Sequence, residues 1–225
     1  KPPLFELNAV GRVQIGEHEA DAVIAETIDY YRDAHTPYWF WWTGDQSQPL
    51  DLGERLVEHG LIAYEVNAPA MAVDLSALSE STATPPGYRY SIVQTESDLR
   101  TWVDTFMAAY EVPSFAAEAW YEATMCVGLR NTVWRLYTGW LNEEPVAISM
   151  LFPAAGIAGI LAVATLPSVR GQGIGTAITL QPLMDAHAEG YKLGALFSSE
   201  LGFSVYRKIG FSQYGTISRY LWREG

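Results

Sequence analysis

Apolar residues recur along the chain with two different periods, one typical of helices and one of strands. Apolar positions three and four residues apart predict helices near residues 20–34, 51–60, 97–111 and 115–128, from a glycine-rich loop to about 189, and at 202–209. Short apolar runs between turn-forming residues predict strands at 37–43, 61–75, 88–95, 133–141, 145–152, 157–165, 193–199 and near 212–222. The order is an α/β arrangement with an antiparallel meander in its middle.

One apolar stretch, residues 145–169, carries no charge and is long enough to cross a bilayer. Pro153, Gly156 and Gly159 interrupt it, and each half has the length of a strand. We therefore expect a buried hairpin here and no membrane segment.

Composition changes at residues 77–87, where serine, threonine, proline and glycine are concentrated as in a linker. We place a boundary there, between an amino-terminal lobe of residues 1–76 and a larger domain of residues 88–225. The order of elements in the lobe repeats that of residues 175–222. This repetition indicates either a degenerate half-copy of the larger domain or a chance recurrence of common elements.

Charge and cysteine content narrow the classes of function. The net charge of −12 opposes nucleic-acid binding, which needs lysine and arginine at the phosphates. Residues 1–87 hold 14 acidic and 4 basic side chains, so this part either attracts a cationic partner or is a solvated surface. The single cysteine, Cys126, excludes an internal disulfide, and a reducing cytoplasm is expected. The histidines lack metal-ligand spacing, so no metal is expected: His18, His35, His59 and His187.

The stretch VRGQGIGTA, residues 169–177, has the composition of a phosphate-binding loop. A dinucleotide fingerprint would need glycine at Thr176, and a Walker loop would need a lysine that is absent between Lys1 and Lys192. What remains is a nest of backbone N–H groups at a helix N-terminus, with Arg170 beside it, which suits a pyrophosphate. The alternative is a glycine-rich turn that binds no ligand.

Two motifs carry a resemblance to a known family. The segment Arg170-Gly-Gln-Gly-Ile-Gly175 resembles the Arg/Gln-x-x-Gly-x-Gly/Ala signature of the GNAT superfamily of acetyl-CoA-dependent N-acetyltransferases. The segment Ser199 to Phe211, with Tyr206 four residues before Gly-Phe, is similar to the second block of that family. The resemblance spans about residues 88–222. It implies a mixed, mostly antiparallel central sheet flanked by helices, with the lobe as a degenerate, non-catalytic half of the same fold.

The resemblance also implies acetyl-CoA as co-substrate and places its binding residues. In the family, the pantetheine arm lies between two strands that splay apart and pairs with backbone groups, here those of Val163 and Thr165. Ser199 stands where the family usually has asparagine at the pantetheine arm. The loop residues expected at the pyrophosphate are Arg170, Gly171, Gln172, Gly173, Ile174, Gly175 and Thr176.

The chemistry implied is acetyl transfer to a primary amine of a small molecule or peptide. The N–H of Val163 is expected to polarise the thioester carbonyl, and Tyr206 to act as general acid toward the departing sulfur. The strand before the loop contains no carboxylate, so the base is either Glu200, acting through water, or solvent; Glu200 is otherwise a helix-capping carboxylate. The missing carboxylate also keeps open a non-catalytic acyl-CoA-binding module.

Aromatic residues near the first helices of the larger domain line either the acceptor pocket or the core: Tyr110, Phe115, Trp120, Tyr121 and Trp134. The run Tyr38 to Trp42 indicates an interior strand in the same way. Oligomeric state is left open between monomer and homodimer.

Overall fold

The computed structural model describes residues 8–78, 84–111, 114–130 and 132–224, with the backbone alone for 114–117. In chain order the helices and strands are β1 (Ala9–Val10), α1 (Ala20–Asp33), β2 (Tyr38–Gly44), α2 (Leu52–Glu58), β3 (Ile62–Asp74), β4 (Tyr88–Ile92), α3 (Glu96–Tyr110), α4 (Ser114–Val127), β5 (Arg135–Leu141), β6 (Glu144–Ala154), β7 (Ile157–Thr165), α5 (Ile174–Ala188), β8 (Leu193–Phe197), α6 (Glu200–Ile209) and β9 (Ser212–Arg223). All follow the predicted order except β1, whose two residues are too few to give a pattern.

These elements divide into two compact units. One contains the described residues up to Ala70 together with those from Tyr214 onward, and the other is Met71–Gln213. The expected boundary had placed the last strand with the larger domain, whereas most of β9 groups with the amino-terminal unit, because its residues Ile217–Arg223 pair with β2. Part of the expected linker, residues 79–83, lies outside the described residues.

The amino-terminal unit is built around β2. Its strands are ordered β1-β2-β9-β3, with β1 parallel and β9 antiparallel to β2. Trp39, Phe40 and Trp41 are 0%, 1% and 0% exposed, which confirms the predicted interior strand. Ile24 of α1 and Leu56 of α2 pack in the same core as the tryptophans.

The larger unit has strand order β3-β8-β7-β6-β5-β4, of which only the last residues of β3 belong to it. The pairs β4–β5, β5–β6 and β6–β7 are antiparallel, and β7–β8 is parallel. The mixed, mostly antiparallel sheet is therefore confirmed. The uncharged stretch forms the hairpin of β6 and β7, and no helix in the described part of the chain is long and apolar enough to cross a membrane.

Helices α3 and α5 both pack on the sheet of the larger unit. Helix α3 begins at a capping box, in which the Thr95 side chain accepts from the Asp98 N–H and the Asp98 side chain accepts from the Thr95 N–H. Its apolar stripe is buried up to Phe106, and Tyr110 at its end is 44% exposed. Helix α5 packs on the face of β6 that carries Ser149, whose hydroxyl donates to the Ile178 carbonyl.

Helices α2 and α6 end in the same way. Each is followed by a glycine in the left-handed region, with φ of 91° and 114°. The next residue is a buried apolar one whose N–H donates five positions back, Leu61 to the Leu56 carbonyl and Phe211 to the Tyr206 carbonyl, both at 3.0 Å. The expected overlay of the two halves thus aligns equivalent helix ends, while its origin as a half-copy stays a prediction.

Candidate active site

Strands β7 and β8 pair only where they begin. Residues Ile157–Gly159 lie opposite Leu193–Ala195, and the strands are not paired beyond this point in the described register. The later residues of β7 therefore present one edge to a gap rather than to a strand. This gap is where the resemblance places the pantetheine arm.

The backbone direction of β7 decides which of its amide groups face the gap. The N–H of Leu166 donates to the Val146 carbonyl of β6 at 2.9 Å. Successive residues of a strand direct their amide groups to opposite sides, so Ala164 also faces β6. The amide groups of Val163 and Thr165 consequently face the gap.

A β-bulge lies in β7 at the same place. The register pairs Ile148 with Ala164 and Met150 with Leu161, so both Ala162 and Val163 lie opposite Ser149. Ala162 has a φ of 49°, in the left-handed region, which costs a non-glycine residue on the order of 1 kcal/mol. Bulges re-aim the backbone next to functional sites, and this one sits beside the residue expected to contact the thioester.

Two side chains donate to the carbonyls of the gap edge. The Tyr110 hydroxyl donates to the Val163 carbonyl at 3.2 Å, and the Arg170 Nε donates to the Thr165 carbonyl at 3.1 Å. Arg170 thereby ties the glycine loop to the end of β7 while its side chain remains exposed. The contact of Tyr110 was not foreseen, since the sequence signal was only an aromatic at the exposed end of an apolar stripe.

The glycine loop leads from β7 into α5. Gly171 and Gly173 have φ of 77° and 82°, which only glycine adopts without strain. Gly173 is the N-cap of α5 and has no side-chain acceptor for the first amides of the helix. Ile174 is buried and fixes the helix start, whereas Gln172 is exposed. The loop therefore offers backbone N–H groups at the positive end of a helix.

Tyr206 lies on the buried side of α6. It is 8% exposed, and burial raises its pKa to about 12. Its ring packs against Phe211, with 5.9 Å between centroids, and against the bare α-carbon of Gly202. The side chain is thus held in place and protonated at neutral pH.

Ser199 and Glu200 lie at the start of α6, and both are exposed. Ser199 is the N-cap, with its hydroxyl oxygen accepting from the Gly202 N–H at 3.2 Å. Glu200 is the first residue of the helix and the only acidic one in its first turn. Ser199 therefore caps the N-terminus of α6, and the Glu200 side chain is not needed as a cap.

The expected acceptor-wall aromatics separate into three groups. Trp120 and Trp134 are buried in the core, where the ring of Trp120 makes edge-to-face contacts with the rings of Trp102 and Trp134. The Tyr121 hydroxyl donates a hydrogen bond to the Glu96 carboxylate. The Phe115 side chain lies outside the described residues. The Tyr110 hydroxyl reaches the edge of the gap, at the Val163 carbonyl.

A cavity of about 330 Å³ lies elsewhere, lined by residues that include Thr124, Leu136 and Trp134. Trp134 is one of the aromatics expected at the acceptor pocket, and none of the residues expected to bind the donor or to act in catalysis lines this cavity. Among the described residues, no three His, Cys, Asp or Glu side chains are grouped to hold a metal ion.

Comparison with known proteins adds a family and a fold. The sequence model of the family described as "Acetyltransferase (GNAT) domain" matches residues 76–196, just over half of the chain. No curated protein matches the chain.

Solved structures of similar fold cover almost the whole chain. A GCN5-related N-acetyltransferase from Kribbella flavida has 21% sequence identity and a TM-score of 0.70, over 92% of this chain and 77% of that one. One from Sphaerobacter thermophilus has 18% identity and a TM-score of 0.68, over 93% and 70%. A tandem GNAT protein from the clavulanic acid biosynthesis pathway has 16% identity and a TM-score of 0.61, over 91% and 69%. At these identities the likeness establishes the fold.

Proposed function

The chain belongs to the GNAT family of acetyltransferases, and on that premise we propose that it transfers an acetyl group from acetyl-CoA to a primary amine of a small molecule or peptide. One observation carries the proposal: the unpaired edge of β7 leads directly into a glycine loop and the N-terminus of α5. This path matches the two parts of the donor, a pantetheine arm that needs peptide partners and a diphosphate that needs N–H donors.

Binding of the donor rests on backbone groups. The N–H groups from Gly171 to Thr176 and the dipole of α5 hold the diphosphate, and the Arg170 side chain adds a full positive charge. The amide groups of Val163 and Thr165 pair with the pantetheine arm. The Ser199 hydroxyl, whose oxygen already caps α6, retains its hydrogen to donate to the arm.

Transfer proceeds in a ternary complex by direct attack. The neutral amine forms a C–N bond to the thioester carbon, and the C–S bond breaks to release the thiolate. The attacking nitrogen gives one proton to solvent as the amide forms, and solvent protonates the thiolate, so the protons balance. The Val163 N–H donates to the carbonyl oxygen, where negative charge develops in the transition state. The peptide group is fixed before the reaction, so no reorganisation is needed at that moment.

Burial narrows the role of Tyr206. A free thiol has a pKa near 8.5, so full proton transfer from a tyrosine with a pKa of about 12 is unfavourable by roughly 5 kcal/mol. Tyr206 is better suited to donate a hydrogen bond to the departing sulfur, which stabilises its charge, while solvent supplies the proton. This differs from the general acid expected from the sequence.

The ammonium form of the acceptor must lose one proton before the nitrogen can attack, and this proton leaves by one of two routes. Strand β7 carries no Asp, Glu or His from Ile157 to Thr165. The exposed Glu200 takes the proton through water, or the amine loses it to solvent before binding. Replacement of Glu200 with Gln separates the routes, because only the first predicts lower turnover.

The missing carboxylate favours one other function, a non-catalytic acyl-CoA-binding module. Release of free thiol from acetyl-CoA, followed across a panel of amines, distinguishes the two. Steady release with at least one amine supports transfer. Tight binding of acetyl-CoA with no release above the background for any amine supports the module.

A further inference from the structure

Helix α3 donates hydrogen bonds to both strands of the β-bulge, β6 and β7. The Trp102 indole N–H donates to the Ser149 carbonyl at 3.3 Å, and Ser149 is the β6 residue opposite the bulge. Two turns further along the same helix, the Tyr110 hydroxyl donates to the Val163 carbonyl at 3.2 Å, within the bulge. One helix therefore holds both sides of the irregular pairing.

The ring of Tyr110 packs against aromatic rings from the preceding turns of α3. It lies 4.9 Å from the ring of Phe106, which is 7% exposed and stacks at 5.6 Å on Trp102, which is fully buried. These three rings form an aromatic column that ends at the gap. Tyr110 is 44% exposed, but its hydroxyl position is set by the buried part of the column.

The bulge needs such support more than a regular strand does. An extra residue interrupts the ladder of hydrogen bonds, and Ala162 holds a backbone conformation that is unfavourable for alanine. A bulge without outside contacts would sample several orientations of the Val163 peptide groups. The hydrogen bond from Tyr110 selects one of them.

We infer that Tyr110 is a positioning residue for acetyl transfer: by holding the Val163 carbonyl, it restricts the backbone torsions of Val163 and with them the direction in which the N–H of this residue meets the thioester. The inference rests on the proposed function, in which that N–H stabilises the developing oxyanion. A carbonyl oxygen has two lone pairs, so the bond from Tyr110 leaves one for an amide of the pantetheine arm.

A positioning role affects the transition state more than the ground state. Loss of a complete oxyanion donor costs about 100- to 1,000-fold in kcat, and loosening one costs less. We expect Tyr110→Phe, which removes only the hydroxyl, to lower kcat about tenfold. Because the diphosphate loop and Thr165 supply most of the contacts expected to bind the donor, the affinity of Tyr110→Phe for acetyl-CoA should stay within about twofold of that of the unmodified chain.

The direct readout is the infrared band of the thioester carbonyl, labelled with ¹³C in bound acetyl-CoA. A hydrogen bond from Val163 lowers the frequency of this band, and a fixed geometry keeps the band narrow. In Tyr110→Phe the band should broaden and move toward its position in a thioester that lacks the bond. Tyr90→Phe serves as a matched control, since Tyr90 is 41% exposed and lies on β4, away from the gap.

The results of these measurements distinguish failure of the positioning role of Tyr110 from failure of the proposed acetyl transfer. If the unmodified chain binds acetyl-CoA with a lowered band and Tyr110→Phe leaves both the band and thiol release unchanged, the positioning role is wrong while the proposed function stands. If the unmodified chain does not bind acetyl-CoA, the proposed function fails and this role fails with it. Equal melting temperatures for the two tyrosine variants check that neither change acts through folding.

Discussion

Tyr206 illustrates how burial sets what one side chain can do. Removing the phenol from water disfavours its charged form, and its pKa rises to about 12 from the usual 10. A group that keeps its proton so firmly is a weak acid but a dependable hydrogen-bond donor. Its value to the reaction therefore lies in the charge that it stabilises on sulfur.

Replacing Tyr206 with Phe tests this role. A hydrogen bond to a charged group contributes about 1.5–3 kcal/mol, so kcat should fall about 10- to 100-fold. Binding of acetyl-CoA should be unchanged, because the ground-state thioester sulfur carries no charge. Steady-state kinetics with an active amine, together with calorimetry, measure both quantities. Unchanged turnover would remove Tyr206 from the mechanism.

The raised pKa of Tyr206 also predicts how the protein responds to alkaline pH. Because the folded state favours the protonated phenol, the stabilisation from this group is complete below pH 10 and is lost as pH rises toward 12. Turnover should rise with pH as the amine loses its proton, with no decline caused by Tyr206 below about pH 11. A decline centred below pH 10 that disappears in Tyr206→Phe would contradict the assignment.

The absence of a side chain at Gly202 in α6 leaves room for the ring of Tyr206. A side chain at Gly202 would begin 2.7 Å from a ring carbon of Tyr206, so the ring would have to move. For Gly202→Ala we expect a drop in kcat similar to that of Tyr206→Phe. Alanine also stabilises a helix by about 1 kcal/mol relative to glycine, so the melting temperature should not fall in parallel. Full activity in a folded Gly202→Ala variant would show that the ring position is unimportant.

The loop between β7 and α5 permits a test with an internal control. Gly171 has a φ of 77°, and Gly156, in the turn between β6 and β7, has a φ of 79°; a Cβ at either position would meet no atom within 4 Å. Alanine at either site should cost about 1–2 kcal/mol of stability through backbone strain alone. Only Gly171→Ala should weaken acetyl-CoA binding, by about tenfold, because only that loop holds the diphosphate. Equal affinities in the two variants would refute the loop assignment.

The elements differ in how far the sequence could predict them. The helices and most strands followed from periodicity, and the glycine loop from its composition, because these signals are local. The bulge at Ala162 could not be foreseen, since it depends on the register between β6 and β7 and the run around it is uniformly apolar. The bond from Tyr110 to Val163 joins residues 53 positions apart and leaves no local mark.

At the scale of the whole molecule, helices α2 and α6 end in the same way, but the candidate active site occurs only once in the described part of the chain. Leu56 occupies in α2 the place that Tyr206 has in α6, and the chain before α1 contains no arginine-glycine loop like that at Arg170. An apolar side chain cannot donate to a departing sulfur. We therefore expect the amino-terminal unit to bind no acetyl-CoA, so that each chain binds one molecule.

For the whole molecule, the superfamily could be predicted from the sequence, but the division into two units could not. The first motif, at residues 170–175, lies within the residues that the family model matches, and the second, at residues 199–211, lies beyond them. The partner of β9 could not be predicted, because pairing with β2 joins the two ends of the chain and depends on how the halves are assembled. The role of the acidic residues in the amino-terminal part stays open between attraction of a cationic acceptor and solvation.

Binding of the diphosphate is tested most directly by calorimetric titration of the folded chain with acetyl-CoA and, separately, with S-acetylpantetheine, which lacks the diphosphate. We expect saturable binding of one acetyl-CoA per chain and much weaker binding of S-acetylpantetheine, because the backbone N–H groups from Gly171 to Thr176 hold the diphosphate. No heat with acetyl-CoA, or equal affinity for the two compounds, would contradict this expectation.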